Sequence, residues 1–183
     1  ANAGASRASM EYGLQGPVFT LSTACSSANH AMGLAYWMVR DGVADAALTG
    51  GSEALFSMGN LKAWDAIRVV APDTCRPFSK DRKGMILGEG GATLVFETLE
   101  AARARGATIH AEVCGFGMSA DAHHLTMASV EGPAQAMQAA LEDAGLQKEQ
   151  ISYINAHGTG TLGNDPNEVK AIREVFGPHA ERL

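Results

Sequence analysis

Cysteine is scarce. The chain has three in 183 residues, Cys25, Cys75 and Cys114, at irregular spacing. They form neither a disulfide framework nor a CxxC zinc pattern, which points to a reducing compartment and so to the cytoplasm. Long apolar runs are missing too. None approaches the ~20 residues that a helix needs to cross a bilayer. Basic residues are outnumbered, 14 Lys and Arg against 20 Asp and Glu, for a net charge of −6. No basic cluster forms, which argues against nucleic-acid and membrane-surface partners. The opening "ANAGASRASMEYG" has no basic stretch leading into an apolar core, so no signal peptide is read there. It also has no initiator methionine. Glycine, by contrast, is plentiful. Its 21 residues gather in "TGG", "LGEGG", "CGFG" and "HGTGTLG", where backbone must turn tightly or approach backbone or ligand closely. The rest is ordinary for a soluble domain, or for a large part of a bigger one.

The pattern predicts alternating strands and helices. "PVFTLSTA" (17–24) reads as a buried strand. From Ser26 the spacing of Ala28, Ala31, Met32, Ala35, Met38 and Val39 is helical, with a stop near Gly42. "VADAALTGG" (43–51) reads as a short buried strand, and residues 53–70 as partly helical with Trp64, Ile67 and Val70 on one face. A polar loop (71–84) precedes the strand "ATLVFETL" (92–99), which runs into a short helix. "TIHAEVCGFGMS" (108–119) and "ISYINA" (151–156) read as strands. Between them Pro133 starts a helix that Gly145 closes. Asp165 reads as an N-cap, with Pro166 next and Glu168 completing a capping box. Val169, Ile172, Val175 and Phe176 give that last helix its apolar face. The alternation argues for α/β layers with a largely parallel sheet.

Cys25 sits between a β-type run and a helix, flanked by Ala24, Ser26, Ser27 and Ala28. Two readings stand. In one, the helix N-terminus favours thiolate, small neighbours admit a substrate carbonyl, and the Cys25 N–H donates to a developing oxyanion. In the other, it is an inert buried thiol. His157 ends the 151–156 strand within "NAHGTGTLGNDPNE", and Thr159 and Thr161 offer hydroxyls to a polar ligand. The alternative there is a structural histidine in a glycine turn. A cysteine and a histidine at two strand ends fit a site at the C-terminal edge of a sheet and covalent thioester chemistry. His110, Cys114, His123 and His124 match no zinc spacing, so no metal is assigned. Asp121, His124 and Thr126 read as a polar loop lining a pocket, and Trp64 and Phe56 as core or pocket wall. Cys75 carries no signal. "HGTGTLG" lacks the Lys and Ser/Thr of a P-loop.

Together "TACSSA", "GGSEA", "RPFSKDRKGMILGEGG", "GFGMSADAHHLT" and "NAHGTGTLGNDPNE" resemble the β-ketoacyl-acyl carrier protein synthases, in particular the type II condensing enzymes. The resemblance runs in order from about residue 10 to the end. It implies a partial thiolase-like fold of α-β-α-β-α layers. Residues 1–107 would be the end of an N-terminal half and 108–183 the beginning of a C-terminal half. Cys25 then corresponds to the nucleophile that takes the acyl chain from acyl carrier protein. His157 corresponds to the first of two histidines that promote malonyl decarboxylation and stabilise the enolate. Thr126, Thr159 and Thr161 match threonines that contact the phosphopantetheine arm, which arrives on the carrier protein, so no cofactor is resident. Asp165 and Glu168 match acidic residues that brace the histidine loop, and Trp64 falls near an acyl-pocket Phe. A homodimer is implied, with residues 17–24 near the subunit interface. "AWDAIRVVAPDTCRPF" is also similar to enzymes of nodulation-factor and polyketide pathways.

There are departures. The family's second histidine, in "GHxxGA", and its gating "FGFGG" loop do not occur, and His179 is no substitute. The family's N-terminal strands and helices are also missing. The resemblance therefore implies an internal segment of a longer enzyme, without condensing activity by itself. Three other readings remain. The same Cys–His logic serves a thiolase-like enzyme using coenzyme A, although "HGTGT" and "GGSEA" favour the carrier-protein enzymes. A cysteine hydrolase is a second. A non-catalytic chain-length partner is a third, and Cys25 argues against it.

Overall fold

A computed structural model describes residues 2–124 and 126–183. In chain order the elements are α1 (Ala3–Tyr12), α2 (Ser27–Arg40), β1 (Ala46–Glu53), α3 (Met58–Ala66), β2 (Gly90–Glu97), α4 (Leu99–Ala104), α5 (Glu131–Ala144) and α6 (Asn164–Phe176). Two 3-10 turns, Lys148–Gln150 and Gly177–Arg182, flank α6 in sequence. No helix among the described residues is long and apolar enough to cross a membrane. The chain divides into two compact units. One runs to Ser52 and resumes over Gly90–Val113; the other is Glu53–Glu89 with Cys114–Leu183.

In the first unit β1 and β2 pair as a two-stranded sheet. Gly50 faces Ala92 while Gly91 faces Ser52, so residue numbers rise on one strand as they fall on the other. The pair is antiparallel, where a parallel sheet is expected from the strand–helix alternation. α2 forms where the helical spacing places it, burying Gly33, Ala35 and Val39. It starts against β1: a Cβ on Gly51 would come within 2.8 Å of the Ala28 Cβ. The strand expected at 43–51 is β1, three residues further on, and it is mostly exposed, with Thr49 buried. Residues 17–24 form no strand, and Val18 and Phe19 are exposed. Apolar composition marks a run that seeks burial, but a strand needs a neighbour's ladder, and no strand among the described residues pairs with it.

In the second unit α5 and α6 pack together. Ala134 and Leu141 on α5 and Ala171 and Phe176 on α6 are buried. α3 is shorter than the helical pattern of 53–70; Ser57 caps it, accepting from the Asn60 N–H, and Ile67 lies beyond its end, exposed. The polar loop is pinned at its base, where Ala71 N–H donates to the Met85 carbonyl and Met85 N–H to the Val69 carbonyl, both at 2.8 Å. Residues 108–119 and 151–156, expected as strands, carry no strand pairing. At Gly117 α5 lies so close that a Cβ would meet the Ala136 carbonyl oxygen at 2.2 Å. Gly115 and Gly117, the part of that run in this unit, lie against α5, and no ladder stands beside them among the described residues. The 151–156 segment is held by His179, whose Nε2 donates to the Ile151 carbonyl at 2.8 Å.

The β2–α4 corner is clipped by Arg105. Its Nε donates to both Glu97 carboxylate oxygens at 3.0 Å, and its Nη2 reaches Oε1. The hydrogen bond from Arg105 holds the Glu97 carboxyl below its ordinary value. A carboxyl depressed on folding adds stability above its unfolded pKa and loses it as pH falls through the folded one. The stability advantage over Glu97→Gln should therefore be full at neutral pH and shrink below about pH 4.3, the ordinary glutamate value. Thermal unfolding across pH checks this; a difference independent of pH contradicts it.

Candidate active site

Cys25 stands exposed on the turn before α2. The helix begins at Ser27 with Ser26 as its N-cap residue, so the cysteine precedes the cap rather than opening the helix. Ala24 makes the turn at φ +54°, a left-handed conformation rare for a residue with a side chain. Hydroxyls hold it there. Ser27 Oγ donates to the Ala24 carbonyl at 2.7 Å and accepts from Thr23 N–H at 2.8 Å. Ser26 Oγ donates to the Thr23 carbonyl at 2.8 Å. His30 Nδ1 lies 3.0 Å from the Ser26 carbonyl and 3.1 Å from Thr23 Oγ1. A carbonyl only accepts, so Nδ1 carries the proton in the first contact. Ser26 and Ser27 are therefore more than small neighbours: they and His30 shape the turn. The i, i+4 spacing of Ser26 and His30 was the available signal.

The histidine lies in the second unit, on a loop built by the first turn of α6. His157 is exposed and Gly160 is buried. Glu168 accepts from the His157 N–H at 2.6 Å and the Gly158 N–H at 2.9 Å, one through each oxygen. Asp165 is 2% exposed. It accepts from the Gly160 N–H at 3.1 Å and, across the unit, from the Phe78 N–H at 2.7 Å. Asn164 Nδ2 bridges the two carboxylates, at 3.3 Å to Asp165 and 3.1 Å to Glu168. The capping box expected here does not form. The helix starts two residues earlier, at Asn164, with Gly163 at the N-cap position and no side-chain cap. Loop N–H groups would otherwise be buried without partners, and they claim both carboxylates. Thr161 Oγ1 takes over at the helix end, accepting from the Asn164 N–H at 3.2 Å.

Thr159 and Thr161 are half-buried, their hydroxyls 2.8 Å apart. The loop 75–84 fastens this assembly from outside. Arg82 Nε donates to the Thr161 carbonyl at 3.1 Å and lies 3.7 Å from Asp165 Oδ2. Cys75 Sγ donates to the Thr159 carbonyl at 3.5 Å, and Gly84 N–H to the Gly160 carbonyl at 2.9 Å. Gly160 has φ +73°, and a Cβ there would stand 2.7 Å from the Gly84 carbonyl oxygen. Sequence reading assigned no role to Arg82, Phe78 or Cys75. The single legible hint was an arginine in a glycine-ended polar loop, and its partner lies 83 positions away, between residues 82 and 165. Arg76 holds Asp73 below its ordinary value, chiefly by hydrogen bond.

Thr126 is exposed, and its N–H donates to His124 Nδ1 at 3.1 Å. Trp64 is half-buried on α3, in the same unit as His157. Cys25 belongs to the other unit.

Models of the β-ketoacyl synthase family match along the chain, the N-terminal domain over residues 1–102 and the C-terminal domain over 110–183. Nodulation protein E of Rhizobium sp. (strain N33) is 55% identical over 182 residues, which is 100% of this chain and 45% of that protein. The 3-oxoacyl-[acyl-carrier-protein] synthase 2 of Staphylococcus aureus is 42% identical, across 96% of this chain and 45% of its own length. A type II polyketide ketosynthase, solved bound to a hexaketide and in complex with its acyl carrier protein, superposes with a TM-score of 0.93. It is 33% identical and covers 98% of this chain and 46% of its own. That likeness carries the partial thiolase-like α/β layering. The chain spans about 45% of the length of the curated relatives it matches.

Asp165→Asn puts an amide N–H against at least one N–H donor in a site 2% exposed. A buried polar group left without its partner costs about 1–3 kcal/mol. Asp165→Asn should lower the midpoint of thermal unfolding, while Asp73→Asn, at an exposed position of the polar loop 71–84, leaves it nearly unchanged. Equal midpoints for the two variants contradict the assignment.

Proposed function

Because the chain belongs to the β-ketoacyl synthase family, we propose that the whole protein is a 3-oxoacyl-acyl carrier protein synthase. Cys25 Sγ attacks the thioester carbonyl of an acyl-carrier protein, and the phosphopantetheine thiol leaves with a proton. A malonyl-carrier protein then loses carbon dioxide, and His157, with the family's second histidine, stabilises the enolate. The enolate carbon attacks the Cys25 thioester and expels the cysteine as thiolate. The product is a 3-oxoacyl chain two carbons longer on the carrier protein. Thr126, Thr159 and Thr161 receive the phosphopantetheine arm, and Trp64 shapes the acyl pocket. The arm arrives on its carrier, so no resident cofactor or metal takes part.

One observation carries this reading: the exposed Cys25 on a turn held by Ser26, Ser27 and the left-handed Ala24. An inert structural thiol has no need of a turn that strained. The braced loop under His157 supports it, since a rigid backbone presents the imidazole in one place. The higher identity to nodulation protein E than to the 3-oxoacyl synthase 2, 55% against 42%, supports a nodulation-type acyl chain. We place the enzyme in the cytoplasm as a homodimer, with residues 17–24 near the contact and their exposed Val18 and Phe19 covered by it. Residues 1–107 belong to the nucleophile-bearing half and 108–183 to the half bearing His157.

Cys25→Ala in the full-length protein should abolish acyl-enzyme formation and cut 3-oxoacyl product on the order of a thousandfold or more. Mass spectrometry of the enzyme and its product reads both. Product from the variant at the parent's rate contradicts the reading. Support of a separate active synthase by the variant would instead mark an accessory subunit.

A further inference from the structure

Asn167 lies between Asp165 and Glu168 in sequence, on the turn of α6 that holds the histidine loop, and it reaches a third loop. Its Nδ2 donates to the Ala128 carbonyl at 2.9 Å. Ala128 is two residues from Thr126. The rest of that loop is fastened largely to itself: Ser129 N–H donates to Asp121 Oδ2 at 2.6 Å, and the N–H groups of Thr126 and Met127 donate to His124 Nδ1 at 3.1 and 3.3 Å. Such a loop holds its shape, but those bonds do not set where it stands relative to His157. The bond from Asn167 ties the loop directly to α6, beside the α5–α6 packing into which the loop leads. Successive helical residues rise ~1.5 Å and are fixed by the helix itself. One rigid turn therefore grips the backbone of His157 through Glu168 and the backbone beside Thr126 through Asn167.

We infer that Asn167 is a positioning residue. It keeps the loop of Thr126 in register with the loop of His157, so that an arm held at Thr126 delivers its thioester to the imidazole. This rests on the reading of Thr126 and His157 given above. The chemistry requires a donor at this position. Aspartate matches asparagine in shape but would set a carboxylate oxygen against the Ala128 carbonyl, whereas glutamine can still donate.

The test uses the full-length enzyme with malonyl-carrier protein as the varied substrate, comparing the parent with Asn167→Ala, Asn167→Asp and Asn167→Gln. The first two variants should raise KM about fivefold, the scale of one lost neutral hydrogen bond, with kcat and Tm little changed. Asn167→Gln should recover at least half of that rise. A KM within about twofold of the parent's, a loss confined to kcat, or a rise that glutamine does not relieve overturns the inference. The parent run alongside separates the two levels. If it makes no 3-oxoacyl product, the functional reading itself falls. If it makes product while the variants' KM stays put, only the role of Asn167 falls.

Discussion

Two carboxylates on one helical turn decide the shape of the histidine loop. A glycine-rich stretch such as 157–163 has little side-chain packing to define it, and its N–H groups must find acceptors once buried. Asp165 and Glu168 sit at i and i+3, so both project from the same face at the start of α6. A helix start favours negative charge, and loop N–H groups, together with the Asn164 side chain, supply their hydrogen-bond donors. Burying Asp165 is tolerable because the Gly160 and Phe78 N–H groups and the Asn164 amide satisfy it, with the Arg82 guanidinium nearby.

That arrangement has a mechanical consequence. The loop is held from below by α6 and from outside by 75–84, and nearly every contact is made to backbone. Side chains at 157, 159 and 161 are thus released from structural duty to different degrees. His157 is exposed, whereas the threonine hydroxyls are partly spent on each other and on the helix start. On the other unit the same economy appears at the cysteine. Serine hydroxyls and His30 shape the turn through the backbone of Thr23, Ala24 and Ser26, and Cys25 itself is left exposed.

Much of the local structure was legible. Helical spacing located α2, α5 and α6, because each buries an apolar face whose period is local information. The run 92–99 located β2, and the glycine at 145 marked the end of α5. Strand identity was less legible at 17–24, 108–119 and 151–156, since apolar composition is local but a ladder depends on a neighbour remote in sequence. The capping box failed for a related reason. "DPNE" carries the right residues, yet the glycine loop and Phe78 compete for the same carboxylates. The motifs that marked the site, "TACSSA" and "NAHGTGTLGNDPNE", were visible as residue types. Their supports, Arg82, Phe78 and Cys75, were not, because an 83-residue separation leaves no periodic trace.

Amide hydrogen exchange tests the central claim most directly. In the complete protein the His157, Gly158 and Gly160 amides should exchange slowly. Glu168→Ala should release His157 and Gly158 while Gly160, held by Asp165, stays protected. Fast exchange at all three in the parent, or unchanged protection of His157 and Gly158 in the variant, would contradict the account.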